Sequence, residues 1–209
     1  MKHKSLFFFI FLLNLLDSLA QVTSRYSASN VLQQLERLNT LGSALYIAAH
    51  PDDENTQLIA YLANGRHYRT GYLAATRGDG GQNLIGTEIR EKLGVIRTQE
   101  LLAARRTDKG EQYFSRANDF GYSKHPDETF TIWDKDKVLA DFVWVIRQFK
   151  PDVLITRFSL QPGITHGHHT ASAILAMEAF RAAGDPNRYP EQLEFVDVWQ
   201  PKRIFWNTS

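Results

Sequence analysis

The chain has 209 residues, of which 43% are hydrophobic and 22% are charged, and its formal net charge is +1. This length fits one globular domain. The near-neutral charge and the lack of a basic run with interleaved aromatic residues exclude a nucleic-acid-binding surface. Because the sequence contains no cysteine, disulfides and thiolate ligands are excluded as well, and any metal must be held by His, Asp or Glu.

The first twenty residues have the pattern of a secretory signal peptide. A positive start at residues 1–4 is followed by an almost unbroken apolar run at 6–16 and by small side chains at Ser18 and Ala20. We therefore expect cleavage before Gln21, export to the periplasm or the extracellular space, and a mature domain at 21–209. A membrane anchor is the alternative, but the run is shorter than the roughly 20 residues that a bilayer-spanning helix needs, so no stable membrane span is expected.

The mature chain alternates apolar, strand-like runs with segments of helical spacing. Strands are predicted at residues 44–49, 71–76, 151–156 and 203–206, and helices at 27–38, 57–64, 87–106, 138–149 and from 165 onward. Strands that alternate with helices indicate parallel βαβ units. We therefore predict a three-layer, Rossmann-like α/β fold with a mostly parallel sheet and an active site at the carboxyl ends of its strands.

Two further expectations concern the first helix and the end of the chain. The first helix has an apolar stripe that is expected to pack on the sheet, formed by Val31, Leu32, Leu35 and Leu38. The chain stops soon after its last predicted strand, which leaves open that it is the N-terminal domain of a longer protein.

A histidine and three acids follow the first predicted strand, at residues 50–54 (HPDDE). Pro51 favours an extended His50 and suits the first turn of a helix, so His50 and Asp53 can converge on the turn between strand and helix. An acid-rich helix cap is the alternative interpretation. Since a cap needs only one such acid, we interpret the segment as half of a metal site.

A second group of candidate ligands opens the helix after the third predicted strand. Three of the chain's 7 histidines lie there, at His166, His168 and His169. A lone histidine is more often structural than a ligand, but this cluster follows one parallel strand just as His50 follows another. Both turns can therefore lie at the same edge of the sheet and complete one site.

Three segments lie between these two groups, and the first of them is interpreted as a wall of the site. The glycine-rich loop at 77–83 (RGDGGQN) matches neither the Rossmann fingerprint nor the P-loop, so a tight turn explains it better than a phosphate cradle. On the next helix, Arg97 and Glu100 either belong to a solvated face or form an i,i+3 pair. Residues 107–133 have no clean period and many aromatic residues, which predicts an ordered substrate loop that includes Tyr113.

Together these segments resemble the PIG-L/LmbE-like family of zinc-dependent N-acetylglucosaminyl deacetylases, over residues 44–206. Residues 49–54 (AHPDDE) reproduce the family signature, 76–81 (TRGDGG) resemble its Thr-x-Gly-acid-x-Gly loop with Asp79 where Glu is usual, and 97–100 resemble its Arg-x-x-Glu helix. The second histidine element usually reads His-Pro-Asp-His but is HGHH at 166–169. His168 thus replaces the acid thought to orient the neighbouring histidine.

The resemblance implies one zinc ion, or another divalent transition metal, held by His50, Asp53 and His169. It also implies that Asp52 is the general base and that His166 stabilises the oxyanion or protonates the leaving amine. Three N/O ligands leave a fourth position for water, as in catalytic zinc sites, where bound water is acidified and an amide carbonyl is polarised.

Five further residues complete the expected site. Glu54 is expected either to bond to the start of the helix or to fix a ligand imidazole. His168 is expected to lie beside the metal site without binding the metal, because His168 and His169 diverge on a helix. Contacts with the substrate are expected from Arg97, Asp79 and Tyr113.

The function expected from this resemblance is removal of the N-acetyl group from an N-acetylglucosamine-type amino sugar or conjugate by attack of metal-bound water. The partner would be a small molecule or glycan. One alternative is a metal- and sugar-binding module of the same fold with impaired catalysis, which the substituted His168 keeps open. Hydrolysis of another bond, such as a phosphoester, is disfavoured by the single metal and the lack of an anion cradle. The sequence identifies neither the substrate nor the oligomeric state.

Overall fold

A computed structural model describes residues 27–208 of the chain. Its helices are α1 (Ala28–Arg37), α2 (Thr56–Ala60), α3 (Glu91–Asp108), α4 (Pro126–Ile132), α5 (Lys135–Phe149) and α6 (Gly167–Ala182). Its strands are β1 (Ser43–Ala48), β2 (Arg69–Ala74), β3 (Glu111–Phe114), β4 (Val153–Thr156) and β5 (Arg203–Trp206). A π-helical turn at Tyr61–Gly65 extends α2, and a 3₁₀ turn at Pro190–Glu194 precedes β5. The predicted signal peptide and its cleavage site before Gln21 lie outside the described residues.

The five described strands form one parallel sheet in the order β3-β2-β1-β4-β5. β2 and β3 lie on one side of β1, and β4 and β5 lie on its other side. The strand order therefore reverses between β1 and β4. In open parallel sheets, ligands bind in the crevice outside the carboxyl ends of the strands at such a reversal. The predicted parallel α/β fold is confirmed.

The central strand β1 contributes to an apolar layer on each face of the sheet, because its successive side chains point in opposite directions. On one face, Ile47 lies in the same buried cluster as Phe142 of α5. On the other face, Tyr46 packs with Ile59 of α2 and Leu101 of α3. Helices on both faces of the sheet give the three layers that the sequence predicts.

Residues 107–133 contain more regular structure than the sequence predicts. They form β3 and α4 as well as irregular loop. The strand has 4 residues, too few to show a period, and its hydrogen bonds come from pairing with β2. Helix α4 begins at Pro126, whose fixed φ suits a first helical turn.

The first predicted helix is present as α1. None of its residues is buried, and Val31 and Leu32 are 47% and 56% exposed. Within residues 27–208, the structure has no helix with the length and apolar character needed to cross a membrane.

The starts of α2 and α6 set the orientation of the candidate ligands. Asn55 caps α2, since its side-chain oxygen accepts the N–H of Leu58 at 3.0 Å. The acids at 52–54 are therefore not the cap of this helix. At α6, the N–H of Gly167 donates to the carbonyl of Ser123 at 2.7 Å, and a Cβ on Gly167 would collide with the backbone of His125. This close approach determines where α6 starts and how its histidines are presented.

Candidate active site

A cleft of about 590 Å³ lies at the carboxyl edge of the sheet. The turn after β1, the loop after β2 and the segment before α6 all contribute to it. Its polar lining includes His50, Asp52, Asp53, Arg97, Asp119, Tyr122, His166 and His169. The two histidine segments that the sequence predicts to meet are thus brought together.

Asp53 lies between two imidazoles at the floor of this cleft. Its Oδ2 is 3.2 Å from Nδ1 of His50 and accepts the backbone N–H of His50 at 2.7 Å. Its Oδ1 is 3.2 Å from Nε2 of His169. Two aromatic residues hold this arrangement: the hydroxyl of Tyr72 donates to the carbonyl of His50, and Phe158 stacks on His169 with 3.6 Å between ring centroids.

The separations within this cluster fit a metal ion. A tetrahedral zinc ion with bonds of about 2.0–2.1 Å keeps its ligand atoms roughly 3.3 Å apart. Oδ2 of Asp53 is 3.2 Å from Nδ1 of His50, and its other oxygen, Oδ1, is 3.2 Å from Nε2 of His169. One nitrogen from each of His50, His166 and His169 lies within 4.8 Å of the others. Two imidazoles and a carboxylate are a donor set of catalytic zinc sites, so His50, Asp53 and His169 could hold one ion.

The cluster combines charged and neutral groups. Burial alone would lower the pKa of His50, but the carboxylates of Asp119 and Asp53 outweigh burial and raise this pKa to about 10. Burial alone would raise the pKa of Asp53, but hydrogen bonds from His169 and His50 hold it well below its usual range. Burial and the charges of His169 and His50 lower the pKa of His166 to about 4. His166 is therefore uncharged at neutral pH.

Asp52 lies on the accessible side of the same turn. Its side chain is 72% exposed, and its Oδ2 is 3.3 Å from Nη2 of Arg97. Nη1 of Arg97 donates to Glu100 at 3.2 Å, which confirms the i,i+3 pair. The carboxylate of Asp52 is therefore open to water and substrate while one of its oxygens is oriented by Arg97.

Glu54 lies beneath the turn and pairs with an arginine rather than with a ligand imidazole. Its side chain is 4% exposed, and its Oε1 is 3.2 Å from Nη2 of Arg105. The same guanidinium binds Asp108 at 2.6 Å. Burial raises the pKa of Glu54, although Arg105 opposes the shift. Glu54 thus belongs to a buried ion-pair cluster, and the alternative in which it fixes a ligand imidazole is wrong.

Two of the three predicted substrate contacts lie outside the cleft. The hydroxyl of Tyr113 donates to Glu111 at 2.7 Å, and its ring packs edge-on against Phe149 at 5.8 Å. Asp79 accepts the backbone N–H of Asp119 at 3.4 Å and so supports the loop that carries Asp119. Only Arg97 of the three lines the cleft.

His168 diverges from His169, as expected, and is completely buried at 0% exposure. Its Nδ1 is 3.1 Å from Oγ of Ser123, and its Nε2 is 3.5 Å from Oδ1 of Asp119. Asp119 also lies 3.5 Å from Nε2 of His50. The sequence does not single out Asp119, and the only signal for it is its place within the aromatic segment interpreted as a functional loop.

A family model described as GlcNAc-PI de-N-acetylase (PIG-L) matches residues 45–180. The chain belongs to the PIG-L family. Every cleft residue named above falls within the PIG-L match. The resemblance drawn from the histidine segments is therefore confirmed.

Two curated proteins are similar in sequence to this PIG-L chain. It is 28% identical over 174 residues to mycothiol S-conjugate amidase of Streptomyces coelicolor. The aligned region covers 77% of this chain and 59% of that protein. It is 29% identical over 181 residues to 1D-myo-inositol 2-acetamido-2-deoxy-alpha-D-glucopyranoside deacetylase of Geodermatophilus obscurus, with coverages of 78% and 60%. The chain thus spans 59% and 60% of the length of these relatives.

A solved structure shares the PIG-L fold of this chain. The N,N'-diacetylchitobiose deacetylase of Pyrococcus horikoshii superposes with a TM-score of 0.65 and 18% identity, covering 89% of this chain and 70% of that chain. At this identity the likeness establishes the fold alone, since one fold hosts many functions.

Proposed function

We propose that this chain is a metal-dependent hydrolase that removes the N-acetyl group from an N-acetylated amino sugar or its conjugate. The observation that carries the proposal is the convergence of His50, Asp53 and His169 in one cleft, with Asp52 and His166 beside them. Membership of the PIG-L family and the named deacetylase and amidase relatives support it.

His50, Asp53 and His169 would hold one divalent ion, and their two imidazoles and one carboxylate suit zinc. When bound, the ion supplies a Lewis acid that polarises an amide carbonyl and lowers the pKa of water. The single negative charge of Asp53 leaves the loaded site with a net positive charge, which favours an electron-rich carbonyl oxygen.

Asp52 is assigned the proton transfers. It is adjacent in sequence to the ligand Asp53, is exposed to the cleft, and is oriented by Arg97 at 3.3 Å. A carboxylate in this place can accept a proton from the attacking water. The protonated Asp52 can then hand that proton to the departing amine, so one residue serves both transfers.

His166 is assigned to the oxygen of the attacked amide. Its ring lines the cleft, and its ring centroid lies 3.6 Å from that of His169. A ring N–H can donate to the oxygen that becomes negative as the amide is attacked. This leaves protonation of the amine to Asp52.

The outer part of the cleft is suited to a sugar. Arg97 offers charged N–H donors to hydroxyl oxygens, and Tyr122 presents an exposed ring 5.8 Å from the ring of His166. An aromatic ring can cover the apolar face of a sugar while its hydroxyl remains in water. These two residues would orient the amino sugar so that its acetamido group faces Asp52 and His166.

Export is the second part of the proposal. The pattern of residues 1–20 supports it, and an exported enzyme would meet extracellular glycans or other N-acetylated compounds. The intact mass of exported protein should correspond to a chain that starts at or near Gln21. A mass that still includes residues 1–20 would favour the membrane-anchor alternative.

The enzymatic proposal is tested by measuring the acetate and free amine released from a panel of N-acetylglucosamine conjugates. Release should occur with zinc-loaded protein, stop when a chelator removes the metal, and return when zinc is restored. Protein that binds zinc and the sugar but releases no acetate above the enzyme-free rate would contradict the proposal and favour a binding module. Release that persists after complete metal removal would contradict the metal dependence.

A further inference from the structure

Asp119 is a buried carboxylate to which the proposed reaction gives no role. Its side chain is 5% exposed, and its Oδ1 is 3.5 Å from Nε2 of both His50 and His168. Both distances are at the outer limit of a hydrogen bond, so the contact is mainly electrostatic. A carboxylate is almost never buried without a partner. Oδ1 of Asp119 accepts the backbone N–H of Phe120 at 2.9 Å, and the imidazoles of His50 and His168 are its further neighbours.

The other nitrogen of each imidazole is already committed. Nδ1 of His50 faces Asp53 at 3.2 Å, and Nδ1 of His168 is 3.1 Å from Oγ of Ser123. A neutral imidazole has one donor and one acceptor nitrogen. If the Ser123 hydroxyl donates to Nδ1, a neutral His168 carries its N–H at Nε2, which makes no hydrogen bond within the described residues and lies 3.5 Å from Oδ1 of Asp119.

The backbone around Asp119 is held at three points. Asp79 accepts the N–H of Asp119 at 3.4 Å, and the indole N–H of Trp133 donates to the carbonyl of Asn118 at 2.7 Å. The third point is Gly80, where a Cβ would collide with the backbone of Asp119. The glycine-rich loop therefore lies directly against this residue, and the carboxylate has a defined position behind His50.

We propose that Asp119 is a positioning residue that holds the imidazole of His50 in the orientation and tautomer that bind the metal through Nδ1. A carboxylate that accepts the second ring N–H of a ligand histidine fixes the ring and increases its basicity. The inference rests on the proposed function, because His50 is a ligand only there.

His168, whose Nδ1 is 3.1 Å from Oγ of Ser123, lies 3.5 Å from the same Oδ1 of Asp119 that faces His50. This gives a role to the histidine that stands where the resembled motif has an acid. In this chain the helix supplies a histidine at that position, and this histidine lies beside the loop carboxylate of Asp119.

The test compares the zinc affinity of four proteins: wild type, Asp119→Asn, Asp119→Ala and Asp141→Asn. Asp141 pairs with Arg116 of the same loop at 2.6 Å, so its substitution removes the same charge and loosens the same loop without contacting His50. Zinc affinity is measured by competition with a chromophoric chelator. Measurement at two pH values distinguishes a change in proton binding at His50 from a change in zinc binding. Both Asp119 variants should bind zinc about 10- to 100-fold more weakly than the wild type, and Asp119→Ala should bind it more weakly than Asp119→Asn. The zinc affinity of Asp141→Asn should stay near that of the wild type.

A second measurement reports the tautomer directly. NMR of the zinc-loaded protein with isotope-labelled histidine should show a protonated Nε2 on His50, and that proton should exchange faster with water in Asp119→Asn. Because asparagine keeps the size of the side chain, this variant decides the matter if Asp119→Ala does not fold.

Three outcomes would overturn the inference. One is wild-type zinc affinity in Asp119→Asn, and another is an equal loss in Asp141→Asn. The third is two zinc ions per wild-type chain, because His50, Asp119 and His168 would then be ligands of a second ion. Failure of the wild type to bind any zinc would instead contradict the proposed function itself, so the two failures are distinguishable.

Discussion

Replacement of Asp52 by asparagine separates the chemistry of the site from its metal binding and its stability. Asparagine keeps the shape of the side chain but cannot accept a proton from water. Loss of a positioned proton-transfer group slows a reaction by roughly 10²- to 10⁴-fold. This corresponds to about 3–5 kcal/mol in the activation free energy.

The structure predicts little accompanying change in the free energy of unfolding. The side chain of Asp52 is 72% exposed, and it forms an ion pair with Arg97 at 3.3 Å. Surface pairs of this kind contribute about 0–1 kcal/mol. Asp52 is also outside the proposed ligand set, so zinc content should not change. The expected result is therefore a large loss of turnover in a protein with near-normal zinc content and thermal midpoint.

The assay measures kcat and KM for amine release, together with zinc content. Glu100→Gln is the matched control, because it removes the other partner of Arg97, at 3.2 Å, and leaves Asp52 in place. Its turnover should stay near that of the wild type. A decrease of less than about tenfold in Asp52→Asn would refute the assignment of Asp52 as the proton acceptor, as would an equal loss in Glu100→Gln.

Three further substitutions probe other parts of the site. His166→Ala should lower kcat by about 10²- to 10³-fold with little change in KM or zinc content, and a change confined to KM would argue against its role at the oxyanion. His169→Ala should lose stoichiometric zinc by elemental analysis because it removes a ligand that contacts Asp53 at 3.2 Å, and full zinc retention would show the ligand set to be wrong. Gly80→Ala should destabilise the fold by about 1–3 kcal/mol, since its Cβ would collide with the backbone of Asp119. Thermal unfolding checks this, and an unchanged unfolding midpoint would show that the loop shifts to accommodate the added methyl group.

The sequence by itself determines the strands around the site and the ligand segments at their ends. The apolar run before His50 and the one that becomes β4 are local patterns, and parallel strands place their carboxyl ends at one edge of a sheet. The meeting of His50 and Asp53 with His169 follows from those two facts. The structure brings the three together with contacts of 3.2 Å.

Only the tertiary structure decides which side chains from residues 107–133 face this edge. β3 has too few residues to show a period, and its existence depends on hydrogen bonds to β2. Once that pairing forms, Tyr113 is directed to Glu111 and Phe149, away from the cleft. Asp119 reaches His50 because Gly80 allows the backbones of two loops to touch. These contacts join residues far apart in the chain, so no local pattern predicts them, and they are decided by packing.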